Sequence, residues 1–380
     1  MPAAERPASL RAPSPRRILL LVTDLELGGT PTVVRELANR LNEPGHVEVE
    51  VACLGPWGPV ADLIREAGVP VTALGATSVG AFPLTLAKLV RLIGRGGRGG
   101  ARGGFDTVFS FLVHANVLAA VAAALRPDVR FLQSVQTTQP NPRWHWWAQR
   151  LVSTLADRVV VPSPSAARVS VNRAGVPASR ITVIPNAVDV GSFDALYRVR
   201  RQPGPTLQVG FVGRLDPVKR IPDLLAAMAG LPNVHVHLFG DGAERPHIER
   251  VVNRLGMGST VTLHGAVARP HEALRLIDVL VLPSAAEGFG LVLIEAMAAG
   301  VPVVGTNVPG IRDVIADGRT GRLVGPGDPA ALREAILTTA LDEGWRRRVV
   351  PAARADVEQR FAWPNVLVQY RTLLGIRADD

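Results

Sequence analysis

A chain of 380 residues with 47% hydrophobic and 20% charged side chains can bury two cores, which excludes wholesale disorder. Its 42 basic and 33 acidic residues leave a formal charge of +9, and the single cysteine, Cys53, excludes an intramolecular disulfide and any cysteine-built zinc site. The excess is uneven: residues 1–202 carry 23 basic and 14 acidic side chains, residues 203–380 carry 19 of each, so an anionic partner is expected on the first half.

Residues 1–17 read as a basic disordered tail. Ser14-Pro15-Arg16-Arg17 ahead of Ile18–Val22 loosely imitates a twin-arginine export signal, but five apolar residues are too few for its hydrophobic region. No run approaches eighteen apolar residues, so no spanning helix is predicted and a cytoplasmic location is expected.

Ile18–Val22 instead reads as a first buried strand, followed by a turn at Leu27-Gly28-Gly29. Val33, Val34, Leu37, Ala38 and Leu41 then recur at helical spacing. Val47–Leu54 and Val69–Leu74 read as strands around a helix at Val60–Ala67. The alternation resumes with strands at Thr107–Phe111, Arg130–Val135, Asp157–Val161 and Arg180–Ile184, and helices at Ala115–Ala124 and Trp144–Ala156. Short buried strands alternating with helices indicate βαβ units and a parallel sheet. Gly94–Gly104 is a low-complexity Gly-Arg stretch, read as a solvated loop.

Gln202-Pro203-Gly204-Pro205 reads as a linker. A second series follows, with strands at Leu207–Val212, Val234–Phe239, Thr260–His264, Val279–Leu282 and Val301–Gly305, and helices starting near Pro222, Glu244, Pro270, Leu291 and Ala330. Trp363–Leu374 reads as a last helix. The fold class is therefore α/β: two doubly wound, Rossmann-like domains facing across a cleft, at residues 18–202 and 203–362.

Four places carry chemistry. After the strand Val209–Val212, Arg214 and Lys219 are spaced to converge on an anion such as a diphosphate, although two surface charges would leave the same pattern. Between Leu282 and the helix at Leu291, the turn Glu287-Gly288-Phe289-Gly290 offers backbone N–H groups and a helix N-terminus for phosphate, and Glu295 stands one turn further to accept from ribose hydroxyls. Gly28-Gly29 permits close backbone approach. His114 follows the Thr107–Phe111 strand, where ligands bind in open sheets.

With those residues in view, the chain resembles the family-four retaining glycosyltransferases of the two-Rossmann-domain (GT-B) type. The matching stretches are Gly28-Gly29 with Val33–Ala38, Val183–Asp189, Gly210–Lys219, Gly240-Asp241-Gly242, Glu287–Glu295 and Gly318–Val324. The resemblance implies a UDP-, GDP- or ADP-sugar bound in the second domain, with no cofactor and no metal; no Asp-x-Asp pair stands at a strand end. Arg214 and Lys219 would neutralise the diphosphate, helped by amides of Gly28, Gly29 and Gly288 to Leu291. Glu295 would hold the ribose, and the backbone from His264 to Val267 would read the base. Glu287 would face the sugar and the reacting centre. His114, Asn116 and Gln136 would stand on the acceptor side, His114 near the transferred sugar, with a glycan, lipid-linked, phosphorylated or small-molecule acceptor. The last helix, within residues 363–380, would cross back to the first domain.

Three other readings fit parts of the chain. A nucleotide-sugar epimerase or a phosphorylase shares the architecture, but the latter needs a pyridoxal-bearing lysine and the Glu-x7-Glu layout suits transfer better. A nucleic-acid-binding protein would use the Gly-Arg stretch but lacks the usual stacking aromatics. The segment Asn141–Leu151 holds three tryptophans and two arginines on one helix, a composition suited to peripheral contact with an anionic membrane at the inner face of the plasma membrane, or to packing on the sheet.

Overall fold

The computed structural model describes residues 15–76, 78–95, 104–138, 144–199, 203–267 and 269–376. The tail before residue 15, residues 96–103 of the Gly-Arg stretch, Asn141-Pro142-Arg143 and the linker residue Gln202 lie outside the described residues.

One parallel sheet comprises β1 (Arg16–Val22), β2 (Val47–Cys53), β3 (Val71–Ala73), β4 (Thr107–Phe111), β5 (Arg130–Ser134), β6 (Arg158–Val161) and β7 (Ile181–Val183). Their order is β3-β2-β1-β4-β5-β6-β7. Around it lie α1 (Gly29–Leu41), α2 (Pro59–Glu66), α3 (Phe82–Arg95), α4 (Val113–Ala124), α5 (Trp144–Ser153) and α6 (Pro164–Ala174). Leu19 to Val22 are wholly buried, because β1 is central and helices cover both faces. In α1 the buried residues are Pro31, Val33, Val34, Leu37, Ala38 and Leu41, one helical stripe turned to that sheet.

After α7 (Asp194–Arg198) comes a second parallel sheet: β8 (Leu207–Val212), β9 (Val234–Phe239), β10 (Val261–Gly265), β11 (Val279–Leu282), β12 (Val303–Thr306) and β13 (Arg322–Val324). Its order is β10-β9-β8-β11-β12-β13. Its helices are α8 (Ile221–Met228), α9 (Arg245–Arg254), α10 (Pro270–Leu276), α11 (Leu291–Ala298), α12 (Ile311–Val314), α13 (Pro329–Leu341) and α14 (Glu343–Arg360). Strand order reverses between β1 and β4 and again between β8 and β11. Each reversal opens a crevice at the strand C-terminal ends. The expected pair of doubly wound domains is what the chain forms.

The last helix, α15 (Trp363–Leu374), joins the first core: Trp363, Val366, Tyr370 and Leu374 pack with Leu20, Phe109 and Leu132. Its final carbonyls are capped from that sheet, by Arg16 on Leu374 O (3.1 Å) and Arg130 on Leu373 O (2.7 Å).

Two boundaries differ from the sequence reading. Arg16 and Arg17 belong to β1 rather than to a tail, held by the α15 cap and by Glu48, 3.1 Å from Arg17. The chain also reaches the second core before residue 203, since Val188, Phe193 and Leu196 already pack there. Helices α3, α6 and α14 were not expected from the sequence. Ser163 caps α6 by accepting from Ala166 N and Pro164 starts it; α14 is rich in arginine and holds Pro351 in its interior.

Candidate active site

The loop after β8 and the loop after β11 are tied together at the crevice of the second domain. Ala285 N donates to Val218 O (2.7 Å), and Lys219 and Glu287 form an ion pair with side chains only 17% and 12% exposed. Ser284 Oγ donates to Glu287 Oε1 (3.0 Å), while Thr306 Oγ1, from the end of β12, donates to Ser284 O (2.5 Å). The ammonium and the carboxylate are thus held at the rim of the crevice by three strand ends. Arg214 is not part of this cluster. It is 73% exposed and pairs with Asp216 (2.7 Å), so the two cations are each engaged by a different carboxylate.

Gly290, with φ of 82°, starts α11, and Leu293 N already donates to Gly290 O (2.9 Å). Phe289 turns its ring into the second core, edge-on to Phe361 (5.4 Å), leaving its backbone at the crevice, and Leu291 is half-buried at the helix start. Glu295, a turn further, is half-buried, flanked along α11 by buried Ile294 and Ala296. Burial pushes its carboxyl up from 4.5 to about 7, a rise that the charge of Arg35 on α1 of the first domain opposes. Arg35 itself pairs with Glu36 on α1 (2.6 Å), and its influence on Glu295 acts across the two domains, which the sequence could not show.

The first domain closes directly on the Glu287 loop. Thr138 Oγ1 donates to Glu287 O (2.7 Å), and a Cβ added to Gly288 would lie 2.0 Å from Gln136 O. Only glycine allows that approach of the two backbones. A second tie lies nearby, where Asp313 of α12 accepts from both N and Oγ of Ser165 at the start of α6 (3.1 Å each).

Gln136 accepts from Asn186 Nδ2 (3.2 Å) and donates to Ser134 Oγ (2.7 Å), so it orders the junction of the domains as well as facing the cleft. His114 is exposed at the start of α4, with its ring edge-on to His145 (5.0 Å) and Trp144 (6.4 Å). His145 and Gln136 line a small cavity of about 20 Å³ with Trp146, Gln149 and Ser134.

Asn116 corrects the sequence reading. It is fully buried, accepts from Ser110 Oγ (2.7 Å), and donates to Ser134 O (3.1 Å) and Gln149 Oε1 (3.0 Å). Two residues beyond His114 on the same helix, it points inward, and its amide is spent on the core rather than on an acceptor.

Gly28 and Gly29 open α1 at the end of the β1 loop, and a Cβ on Gly29 would meet nothing within 4 Å. The space in front of that turn is open. His264 ends its strand exposed, stacked on Phe239 (4.1 Å) with Nε2 2.9 Å from His237 Nδ1. Burial and neighbouring His235 hold its pKa below the ordinary range. Val267 packs against the second core. Among the described residues no three His, Cys, Asp or Glu side chains are grouped to hold a metal ion.

Comparison with known proteins covers nearly the whole chain. The family model Glycosyltransferase Family 4 matches residues 27–192, and Glycosyl transferases group 1 matches residues 194–356. A D-inositol 3-phosphate glycosyltransferase of Xylanimonas cellulosilytica is 29% identical over 374 residues, covering 89% of each chain. The protein of that name from Mycobacterium tuberculosis is 32% identical over 282 residues, covering 70% of this chain and 57% of its own length. Among solved structures, HepE of Anabaena in complex with UDP and glucose superposes with a TM-score of 0.82 at 23% identity, over 95% of this chain and 99% of that one. Sucrose-phosphate synthase from Thermosynechococcus elongatus gives 0.77 at 24% identity, over 95% and 100%.

Proposed function

Since the chain belongs to the group 1 glycosyl transferases, with a first half of the family 4 type, it is a glycosyltransferase using nucleotide sugars, and we propose that it moves a hexose to a hydroxyl of a phosphorylated acceptor. The transfer retains the anomeric configuration and needs no metal ion. The observation that carries this reading is the Lys219–Glu287 pair, held beside the start of α11 and within reach of the first domain.

A nucleoside diphosphate entering the crevice competes with Glu287 for the Lys219 ammonium. Lys219 and Arg214 then balance the diphosphate charge, joined by the amides at the start of α11, and Glu287 is released to accept from sugar hydroxyls. Arg214 has freedom to do this, because its side chain is 73% exposed and paired with Asp216 on its own loop. Glu295 holds the ribose. Closure of Gln136–Thr138 over Glu287–Gly288 excludes water that would hydrolyse the donor. The sugar C1–O bond to phosphate breaks, a C1–O bond to the acceptor forms on the same face, and the acceptor proton passes to the leaving phosphate oxygen.

UDP as donor nucleotide is supported by the complex of HepE, and a phosphorylated acceptor by the names of the inositol phosphate relatives and the basic first half. Release of UDP, GDP or ADP from the corresponding sugars, measured with inositol phosphate and with inositol, tests both. Stimulation by the phosphorylated compound, an unchanged rate in EDTA and a product of the donor's anomeric configuration are expected. An inverted product, or release indifferent to phosphorylated acceptors, would overturn the reading.

A further inference from the structure

Helix α5 has two unlike faces. Inward, His145, Trp146 and Gln149 line the small cavity beside Gln136. Outward, Trp144, Trp147 and Leu151 recur at i, i+3 and i+7 and are 54%, 68% and 59% exposed, with Leu155 just beyond at 53%. On the same side of the sheet Leu84 on α3 and Leu125 after α4 are also 63% and 59% exposed. Two tryptophans left in water on one stripe are a large apolar exposure for a folded surface.

The charge around that stripe is of one sign. Among the described side chains of residues 67–180, which supply α3 to α6, nine are basic and three acidic, a net of +6, although one of the nine, Arg130, turns to α15 on the other face. The three acids are all engaged: Asp128 by Arg126 (2.8 Å), Asp157 by Phe131 N (2.8 Å), and Asp106 by Arg17 N (2.7 Å). Helices α3 to α6 share one face of the first sheet through a common core that includes Leu89, Leu118, Val152 and Ala166, while α1 and α15 pack on the other face. Basic charge and exposed tryptophan therefore coincide on one side of the domain.

We propose that this face docks on an anionic lipid bilayer, with Trp144, Trp147 and Leu151 seated among the headgroups. Indole rings at that depth bury their apolar bodies and keep the ring N–H in the polar layer, and the surrounding arginines meet the lipid phosphates. A second copy of the chain fits less well, because a two-fold contact would set one basic face against another. Docking orients the molecule: the helix that meets the bilayer also lines the cavity beside Gln136 and touches His114, so the acceptor side of the cleft lies next to the membrane. The sequence put three tryptophans, Trp144, Trp146 and Trp147, on one helix, suited either to a membrane or to packing on the sheet, and the adjacent pair Trp146 and Trp147 divides between the two. Of that pair only Trp147 is at this surface, since Trp146 turns inward.

Flotation of the full chain tests this, with vesicles of phosphatidylcholine alone and with about 30% phosphatidylglycerol. Binding to the anionic vesicles only, weakened by salt, is expected. W147S/L151S should lower the bound fraction about tenfold, while V368S, at an equally exposed position on α15, should leave it unchanged. Equal binding to neutral vesicles, no binding to either, or retention by W147S/L151S would overturn the proposal. So would a dimer in solution abolished by W147S/L151S, which would assign the stripe to a second copy, or equal salt-sensitive binding of single-stranded RNA. Flotation reads docking whether or not sugar transfer occurs, so its failure is separable from failure of the transfer reading.

Discussion

Lys219 and Glu287 meet as an ion pair although 68 residues separate them, one after β8 and the other after β11, the two strands between which the order of the second sheet reverses. On the proposed function, the pair is a diphosphate site with its cation occupied by an internal anion, and its two members would separate when a donor enters.

Removing the cation should therefore have two effects. Lys219→Ala leaves Glu287 poorly hydrated and without its cation, at a cost of about 2–3 kcal/mol, the lower end for a buried pair because both members keep some solvent contact. It should also lower kcat by roughly two to three decades, the scale of one lost electrostatic donor. Arg214→Ala should lower kcat similarly while changing stability by less than about 0.5 kcal/mol, because Arg214 is largely exposed. Thermal melts and initial rates on both variants separate the two roles. Near-wild-type turnover in both would sink the assignment.

Gly288→Ala tests whether closure of the domains matters. The added methyl would overlap Gln136 O, backbone against backbone, so the loops must part rather than a side chain turn aside. A fall in kcat/KM of about 10- to 100-fold is expected, with a larger radius of gyration in solution scattering. Thr138→Val removes only the hydrogen bond to Glu287 O and should cost about 0.5–1.5 kcal/mol of the closed state. An alanine variant with unchanged scattering and unchanged rate would show that the cleft need not shut this far.

What the sequence disclosed follows from where the physics is local. The strands Thr107–Phe111, Leu207–Val212, Val234–Phe239 and Val279–Leu282 and the helix Trp363–Leu374 were legible to the residue, because each carries its apolar pattern within its own sequence, and Gly213, Gly240, Pro283 and Gly375 end four of the five. Glu287 and Lys219 were legible as strand-end chemistry. Their pairing was not, since nothing in either loop encodes the other. Asn116 misled for the opposite reason: it follows a strand end as His114 does, and only the helical rotation of two residues turns it into the core. Arg35 sits in an ordinary amphipathic helix, and its charge acts on Glu295 only because the domains face each other.

Glu295 predicts a pH dependence. Its folded pKa of about 7 lies above the ordinary 4.5, so the folded state prefers the protonated acid, and this contribution to stability is lost as pH rises from 4.5 towards 7. Ribose hydroxyls donate to the ionised form. Affinity for a UDP-sugar, which has no titrating group of its own between about pH 6 and 8, should accordingly rise with pH through about 7 and then level off. Calorimetric titration of wild type and Glu295→Gln checks this; the variant should bind more weakly and show a flat profile. A wild-type profile equally flat would remove Glu295 from the ribose.

The return of the last helix makes a prediction about which domain it supports. Trp363 is 2% exposed, opens α15, and carries Arg40 of α1 over its ring (5.3 Å). Trp363→Ala empties a large volume between α15 and the first sheet, and should cost about 3–5 kcal/mol. The loss belongs to the first domain, because the side chain packs with that core rather than with the second. Calorimetry in the presence of UDP, which ties stabilisation by ligand to the second domain, should then resolve two transitions, the nucleotide-sensitive one unmoved by the substitution and the other lowered. If the nucleotide-sensitive transition fell instead, α15 would be acting on the second domain through α14, whose end it follows directly in the chain.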